Sequence, residues 1–311
     1  MKKTRGYAES LKSLDTEEGI DLAFYRPVGY MWACLAKRLG IGPNAITIAS
    51  IFLGIGAAVA FYYQNIWINI AGIVLLVWAN SFDSADGQLA RMTKSFSRLG
   101  RILDGLCGDI WFVSIYIAIC LRQVHTPGFF MEHPWSIWVL AIVTGICHAK
   151  QAAMADYYRQ FHLYFLKGED GSELDTCDEL RSRWRSMPWR NNFAAKITLW
   201  FYANYTANQE ITTPAMKRLR KELQSRYGKK MPPHDFRAEF RRLSLPLMKY
   251  TNILSFNWRS IALFISILAG QPWLYFAFEL VVLNILLIYM VMKHESICRS
   301  LTAQLKEGKY Q

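Results

Sequence analysis

Six apolar runs, each near the roughly 20 residues a helix needs to cross a bilayer, constrain this chain more than any other feature. They cover residues 45–63, 66–82, 99–121, 135–158, 252–270 and 272–292. In hydrocarbon the backbone must satisfy its own hydrogen bonds, so such runs fold as helices. The expected fold class is all-α and polytopic. Hydrophobic residues make up 52% of the 311, which argues against a large soluble domain. A long polar insert explains why the mean hydropathy is modest.

Basic residues set the expected orientation. Lys2, Lys3 and Arg5 lie in the N-terminal tail, and Arg91, Lys94, Arg98 and Arg101 lie between the second and third runs. The opposite side has only Arg122 and Glu132. Six spans with both termini in the cytosol fit this asymmetry. The first 20 residues carry charge and no apolar stretch, so no cleaved signal peptide is expected. The six cysteines form no CxxC pair and read as reduced packing residues.

Four segments follow. Residues 1–40 are a cytosolic tail and a juxtamembrane helix; Phe24, Val28, Met31, Trp32 and Leu35 recur at helical spacing there. That amphipathic helix either lies on the membrane surface or faces a core. Residues 41–159 hold spans one to four. Residues 160–250 are a helical, basic cytosolic insert. Residues 251–311 hold the last two spans and a cytosolic tail. Within the insert, 181–249 carries 16 Lys and Arg against 4 Asp and Glu, an excess equal to the net charge of +12. Its stripes Met216, Leu219, Leu223, Tyr227 and Phe236, Phe240, Leu243, Leu247 suggest basic amphipathic helices on anionic lipid, with a solvated basic face as the alternative. Nothing here resembles a nucleic-acid fold, so no nucleic-acid partner is expected.

The chemistry sits where the second run ends and the third begins. Asp83, Asp86, Asp104 and Asp109 crowd the ends of two adjacent apolar helices. A carboxylate in the bilayer costs about 2.5–3.5 kcal/mol, so several together imply a shared cation. Asp83 and Asp86 lie about 60° apart around one helix, and a short loop lets Asp104 face them. Hard oxygen ligands suit Mg2+ or Mn2+, with Ca2+ possible on ligand type. Two ions would neutralise a pyrophosphate. Gly87, Ala90 and Gly100 are small enough for close helix or nucleotide approach, and Arg91 suits phosphate.

This segment resembles the signature of the CDP-alcohol phosphotransferases, DxxDGxxAR, eight residues, then GxxxDxxxD. Asp83, Asp86, Gly87, Ala90, Arg91, Gly100 and Asp104 all match. Gly42-Pro43-Asn44-Ala45-Ile46-Thr47 also resembles the family's PNxxT helix start. Asn44 then touches the nucleotide or its phosphates, or simply caps the helix. The resemblance implies a surface helix followed by six spans, a frequent homodimer, and an integral membrane enzyme with its site facing the cytosol, here of a bacterial inner membrane. It implies Asp83, Asp86 and Asp104 as metal ligands, and an acceptor hydroxyl attacking the β-phosphorus of a CDP-activated donor to release CMP.

One position departs. The family's fourth aspartate, a ligand to the second metal and the proposed general base, falls at Gly108. Either a π-bulge beside Gly105 and Gly108 swings Asp109 into place, or another group serves. The first is the expectation, giving Asp104 and Asp109 catalytic roles and Asp109 a metal. For the acceptor, Arg101, Lys150 and Arg259, with His148 nearby, would suit a phosphorylated inositol or glycerol and a CDP-diacylglycerol donor; snorkelling to lipid phosphates explains these cations equally well. A soluble donor such as CDP-ethanolamine with diacylglycerol or ceramide as acceptor is the alternative. A transporter would spread its polar residues along several spans, and an inactive CDP-lipid-binding relative would explain Gly108. His125, His133, His162 and His234 read as surface residues, and Glu279 and Asn284 as packing or dimer contacts.

Overall fold

The computed structural model describes residues 13, 15–95, 98–168, 175–190, 192–228 and 230–310, without side chains at 98, 99, 101, 102 and 167. The described residues are helical throughout, with no strand among them. In chain order the helices are α1 (Arg26–Leu39), α2 (Pro43–Tyr62), α3 (Ile66–Thr93), α4 (Arg98–Val124), α5 (Pro134–Lys167), α6 (Cys177–Ser186), α7 (Phe193–Thr212), α8 (Pro214–Tyr227), α9 (His234–Ser244), α10 (Phe256–Leu268), α11 (Trp273–Phe278) and α12 (Asn284–Lys306). A π turn at Glu279–Leu283 joins the last two. Pro43 starts α2 after an extended Gly42, and Asn65 caps α3 by accepting from the amides of Trp67 and Ile68. Gly40 stops α1 in the left-handed conformation that costs glycine nothing.

Among the described residues, five helices are long and apolar enough to cross a membrane: Pro43–Tyr62, Ile66–Thr93, Leu103–Val124, Pro134–Leu166 and Trp273–Lys306. The chain is a polytopic membrane protein. The run at 252–270 differs from expectation. Its helix, α10, has 13 residues, about 20 Å against a hydrocarbon core of about 30 Å. A turn at Leu254–Ser255 interrupts it on one side, and Gly270, at φ 70°, ends it on the other. The second span also runs further than expected, to Thr93, so Asp83 and Asp86 lie inside a continuous helix rather than at its end.

The chain forms two compact units. One comprises residues 1–148 and 256–281, the other 149–255 and 282–311. α5 contributes to both. The core of the first gathers Phe61, Leu76, Trp111, Ile115, Tyr275 and Phe276. Its helices approach closely at glycine: a Cβ on Gly54 would fall 2.0 Å from the Trp111 ring, whose Nε1 donates to the Ser50 carbonyl at 3.0 Å. α1 lays its small face, Gly29, Ala33 and Ala36, on α3, and Trp32 packs on Trp78 and Phe82. Met31, Leu35 and Leu39 on α1 remain exposed. One face of the N-terminal helix is thus turned to the core and the other is exposed.

In the second unit, Met216, Leu219 and Leu223 of α8 are buried, and α8 packs on α12. The Glu295 carboxylate accepts from the amides of Ala215 and Met216 at 2.7 and 3.1 Å, where the helix dipole favours an anion. Phe236 and Phe240 of α9 close on Phe165. The two apolar stripes of the insert therefore face protein, not lipid. His162, expected at the surface, is buried with Ser244 at 2.8 Å.

Candidate active site

α3 and α4 bring three carboxylates together. One oxygen from each of Asp83, Asp86 and Asp104 lies within 4.8 Å of the others. Asp86 is buried, Asp83 half-buried and Asp104 exposed, so the cluster opens on the α4 side. Asp83 and Asp86 share a face of α3 because three residues advance a helix by about 300°. The antiparallel return of α4 supplies Asp104.

Neighbouring groups hold these carboxylates in place. The Thr47 hydroxyl donates to Asp86. Ser50 donates to the Thr47 carbonyl at 2.6 Å and sits 3.2 Å from the Cys107 sulfur. From α1, Arg26 is an electrostatic neighbour of Asp83, and it donates to Glu17 at 2.9 Å and to Ser84 at 3.4 Å. The Gln88 amide donates to the Arg26 carbonyl at 3.0 Å, which ties α1 to α3 beside the cluster. Arg91 lays its guanidinium over Gly87, 3.4 Å from where a Cβ would stand. Its charged neighbours include Arg26, Glu17, Asp104 and Asp86.

Three convergent oxygen donors with a hydroxyl fixing one of them fit a hard divalent cation. Asp83, Asp86 and Asp104 would hold it. A cationic guanidinium beside the ion fits an anionic ligand of phosphate type.

Residues 41–161 match the sequence model of the CDP-alcohol phosphatidyltransferase family. The chain carries a CDP-alcohol phosphatidyltransferase domain. Among curated proteins, it is 40% identical over 83 residues to archaetidylinositol phosphate synthase of Pyrococcus horikoshii, covering 27% of this chain and 43% of that one. It is 32% identical over 100 residues to cholinephosphotransferase 1 of Gallus gallus, covering 29% and 30%. It is 28% identical over 102 residues to CDP-diacylglycerol–glycerol-3-phosphate 3-phosphatidyltransferase of Cereibacter sphaeroides, covering 32% and 43%. The alignments thus span less than half of each relative. No solved structure matches.

Within this CDP-alcohol phosphatidyltransferase domain, the remaining expected residues separate. Ala90 is half-buried on α3, and Gly100 lies in the first turn of α4. Asn44 is the second residue of α2; the cap position belongs to Gly42, so a helix cap does not explain Asn44. Asp109 does not join the cluster. α4 stays α-helical through Gly105 and Gly108, with no π-bulge, so Asp109 points about 140° from Asp104. It is exposed, and its electrostatic neighbour is His148. Asp109 is therefore removed from the metal ligands.

The expected acceptor cations fare differently. The side chain of Arg101 lies outside the described residues. Lys150 donates to the carbonyl and side-chain oxygen of Asn208 at 2.9 and 2.5 Å, and to the Thr212 hydroxyl. Arg259 is buried and bonds Glu279 at 2.7 Å, with His148, Tyr116 and Tyr275 completing the same network. Both are committed to internal partners. Arg26 and Thr47 went unassigned in the sequence. Thr47 carried a signal, four residues after Pro43 and so facing the same side as the helix start. Arg26 carried none, because its neighbour Ser84 is 58 positions away.

Proposed function

We propose that the chain transfers a phospho-alcohol group from a CDP-activated donor to an acceptor hydroxyl, in phospholipid head-group synthesis. The observation that carries this is the convergence of Asp83, Asp86 and Asp104 within 4.8 Å. One or two Mg2+ or Mn2+ ions, when held there, would neutralise the pyrophosphate and the departing phosphate. Arg91 binds a phosphate oxygen of the donor, and Asn44 and the small residues Gly87, Ala90 and Gly100 leave room for the nucleotide. Thr47 and Arg26 fix the carboxylates before substrate arrives, so little reorganisation accompanies the reaction.

In the transfer, the acceptor oxygen forms a bond to the β-phosphorus and the bond from that phosphorus to the bridging oxygen breaks. CMP leaves with that oxygen. The acceptor proton passes to a carboxylate. With glycine at 108, Asp109 is the nearest further carboxylate along α4, and we assign it the base role without a metal role; because it points about 140° from Asp104, it takes the proton through a bridging water. The site faces the cytosol in this reading, where the basic loops are, and the membrane is a bacterial inner membrane.

The favoured donor is CDP-diacylglycerol with a small polar acceptor, inositol phosphate or glycerol phosphate. Two relatives support it by name, one for archaetidylinositol phosphate and one for glycerol 3-phosphate. The chain's own similarity to cholinephosphotransferase 1 keeps a second version, a soluble CDP-alcohol with a lipid acceptor. Incubation of the purified protein with labelled CDP-diacylglycerol, Mg2+ and a panel of alcohols and sugar phosphates tests both. CMP release with one phosphorylated acceptor is expected. Release only with CDP-choline or CDP-ethanolamine and diacylglycerol would reverse the assignment. Asp83→Asn and Asp104→Asn should abolish release, and Asp109→Asn should cut turnover by about 100-fold or more while sparing CDP binding. Undiminished turnover in Asp83→Asn would refute the metal role.

A further inference from the structure

α7 is built the wrong way round for water. Its inward face carries Lys196, Thr206, Gln209 and Glu210, all buried. Its outward face carries Phe193, Trp200, Phe201, Tyr205 and Ile211, all exposed. Adjacent residues make the contrast plain: Glu210 is 4% exposed and Ile211 81%. A surface helix in water shows the opposite arrangement, apolar face to the core and polar face outward.

Three of these buried polar groups have protein partners. Gln209 donates to the Ala153 carbonyl of α5 at 2.8 Å. Glu210 accepts from the Cys177 amide at 2.9 Å and pairs with Lys217 at 2.7 Å. Lys196 donates to the Met187 carbonyl at 2.7 Å, with its ammonium 4.7 and 4.8 Å from the Trp184 and Trp189 ring centres. The inward face is therefore satisfied by protein, and the outward face is what requires a partner. Exposed apolar surface of this extent, interrupted by Asn204 and Asn208, marks an interaction site.

Three observations choose the partner. First, α7 is tied at Lys150 and Ala153 to α5, a helix long and apolar enough to cross a membrane, so α7 packs against a helix that enters the bilayer. Second, the outward residues include Trp200 and Tyr205, aromatics with a polar tip of the types that settle at headgroup level. Third, the stripe ends at Ile211 in an open cleft of about 690 Å³. Arg181, Lys217, Arg218 and Lys221 line it against two carboxylates, Asp178 and Glu210. An apolar stripe running into a cationic cleft matches the chemistry of a phospholipid, acyl chains on one part and phosphate on the other.

We propose that the outward face of α7 rests in the interfacial layer of a phospholipid bilayer, with lipid phosphates drawn to the cleft at its C-terminal end. The helix does not span; it lies against the membrane and anchors the insert there. None of these residues belongs to the aspartate cluster, so the proposal stands apart from the reaction.

Photo-crosslinking in lipid nanodiscs tests it. A benzophenone-bearing phenylalanine is placed at position 201, and separately at 193, with position 235 on the exposed start of α9 as the aqueous control. Mass spectrometry of irradiated protein should find lipid adducts at 201 and 193 and none at 235. Both test positions are exposed, so folding is unaffected, and elution as a single species checks this. Adduct to a second copy of the chain would overturn the proposal in favour of a protein contact. Absence of any adduct at 201 and 193 would place the face in water and also overturn it. With the probe at 211, Arg218→Gln combined with Lys221→Gln should lower the lipid adduct several-fold; unchanged yield would remove the cleft from the lipid site.

Discussion

The hydroxyl of Thr47 shows how one residue can shape a candidate metal site without being a ligand itself. It donates to the buried Asp86 carboxylate and so fixes which lone pairs remain for an ion. Removing such an outer partner costs metal sites about 10–100-fold in affinity. Thr47→Val preserves the shape and deletes the bond. Titration of Mn2+ by electron paramagnetic resonance should show affinity down by roughly that factor, while Thr47→Ser keeps it. Equal affinity in wild type and Thr47→Val would mean that Asp86 is held by packing alone. Arg91 is similar in kind. Its guanidinium lies over Gly87 because no Cβ intervenes, so a larger residue at 87 would push that guanidinium aside even though the carboxylates stay in place.

Helix contacts carry a second set of consequences. Gly54 of α2 faces the flat of Trp111 on α4, and a Cβ there would stand 2.0 Å from the ring. Trp111 is fully buried and bonded to Ser50, so it has nowhere to go. Gly54→Ala should cost about 1–3 kcal/mol, read as a lower unfolding midpoint in detergent. At α6 the local chemistry is a capping box. The Thr176 side chain accepts from the Glu179 amide and the Glu179 carboxylate accepts from the Thr176 amide. That backbone bond holds the Glu179 carboxyl below its ordinary range. Because the folded value is depressed, its stabilisation is present above the ordinary carboxylate range and lost as pH falls through the lowered value. Thr176→Ala should cost about 1 kcal/mol, and hydrogen exchange in residues 176–186 should accelerate accordingly. The span helices and the aspartate cluster were legible because period and spacing survive in sequence: Asp83, Asp86 and Asp104 stand where helical geometry alone predicts convergence. α7 was not legible. Its apolar face is broken by Asn204 and Asn208, and only partners such as Met187 and Ala153, known from tertiary structure, reveal which face is buried. The stripes on α8 and α9 had the right period, yet periodicity does not say whether protein or lipid covers an apolar face.

At the scale of the molecule, the first unit buries an ion pair among four helical segments. Glu279 and Arg259 are almost fully enclosed and 2.7 Å apart, and Glu279 also accepts from Tyr116 and Tyr275. His148 sits 3.2 Å from the same carboxylate. These residues come from α4, α5, α10 and the segment that leads into the π turn, so one carboxylate ties together pieces separated by 163 positions in sequence. A buried pair is not by itself a source of stability, since desolvation offsets the attraction; breaking it is what costs. The three variants Arg259→Met, Glu279→Leu and the double replacement separate these effects. Each single change leaves a buried, uncompensated charge and should lower stability by about 3–5 kcal/mol. The double change removes both charges and should recover most of that loss, with unfolding midpoints in detergent as the measure. If the double variant is as unstable as the sum of the singles, the pair is not coupled, and Arg259 is released from its internal role to be reconsidered as an acceptor-binding cation. If it recovers stability yet loses CMP release with a phosphorylated acceptor, the network positions α5 and α10 for the reaction rather than merely holding the fold.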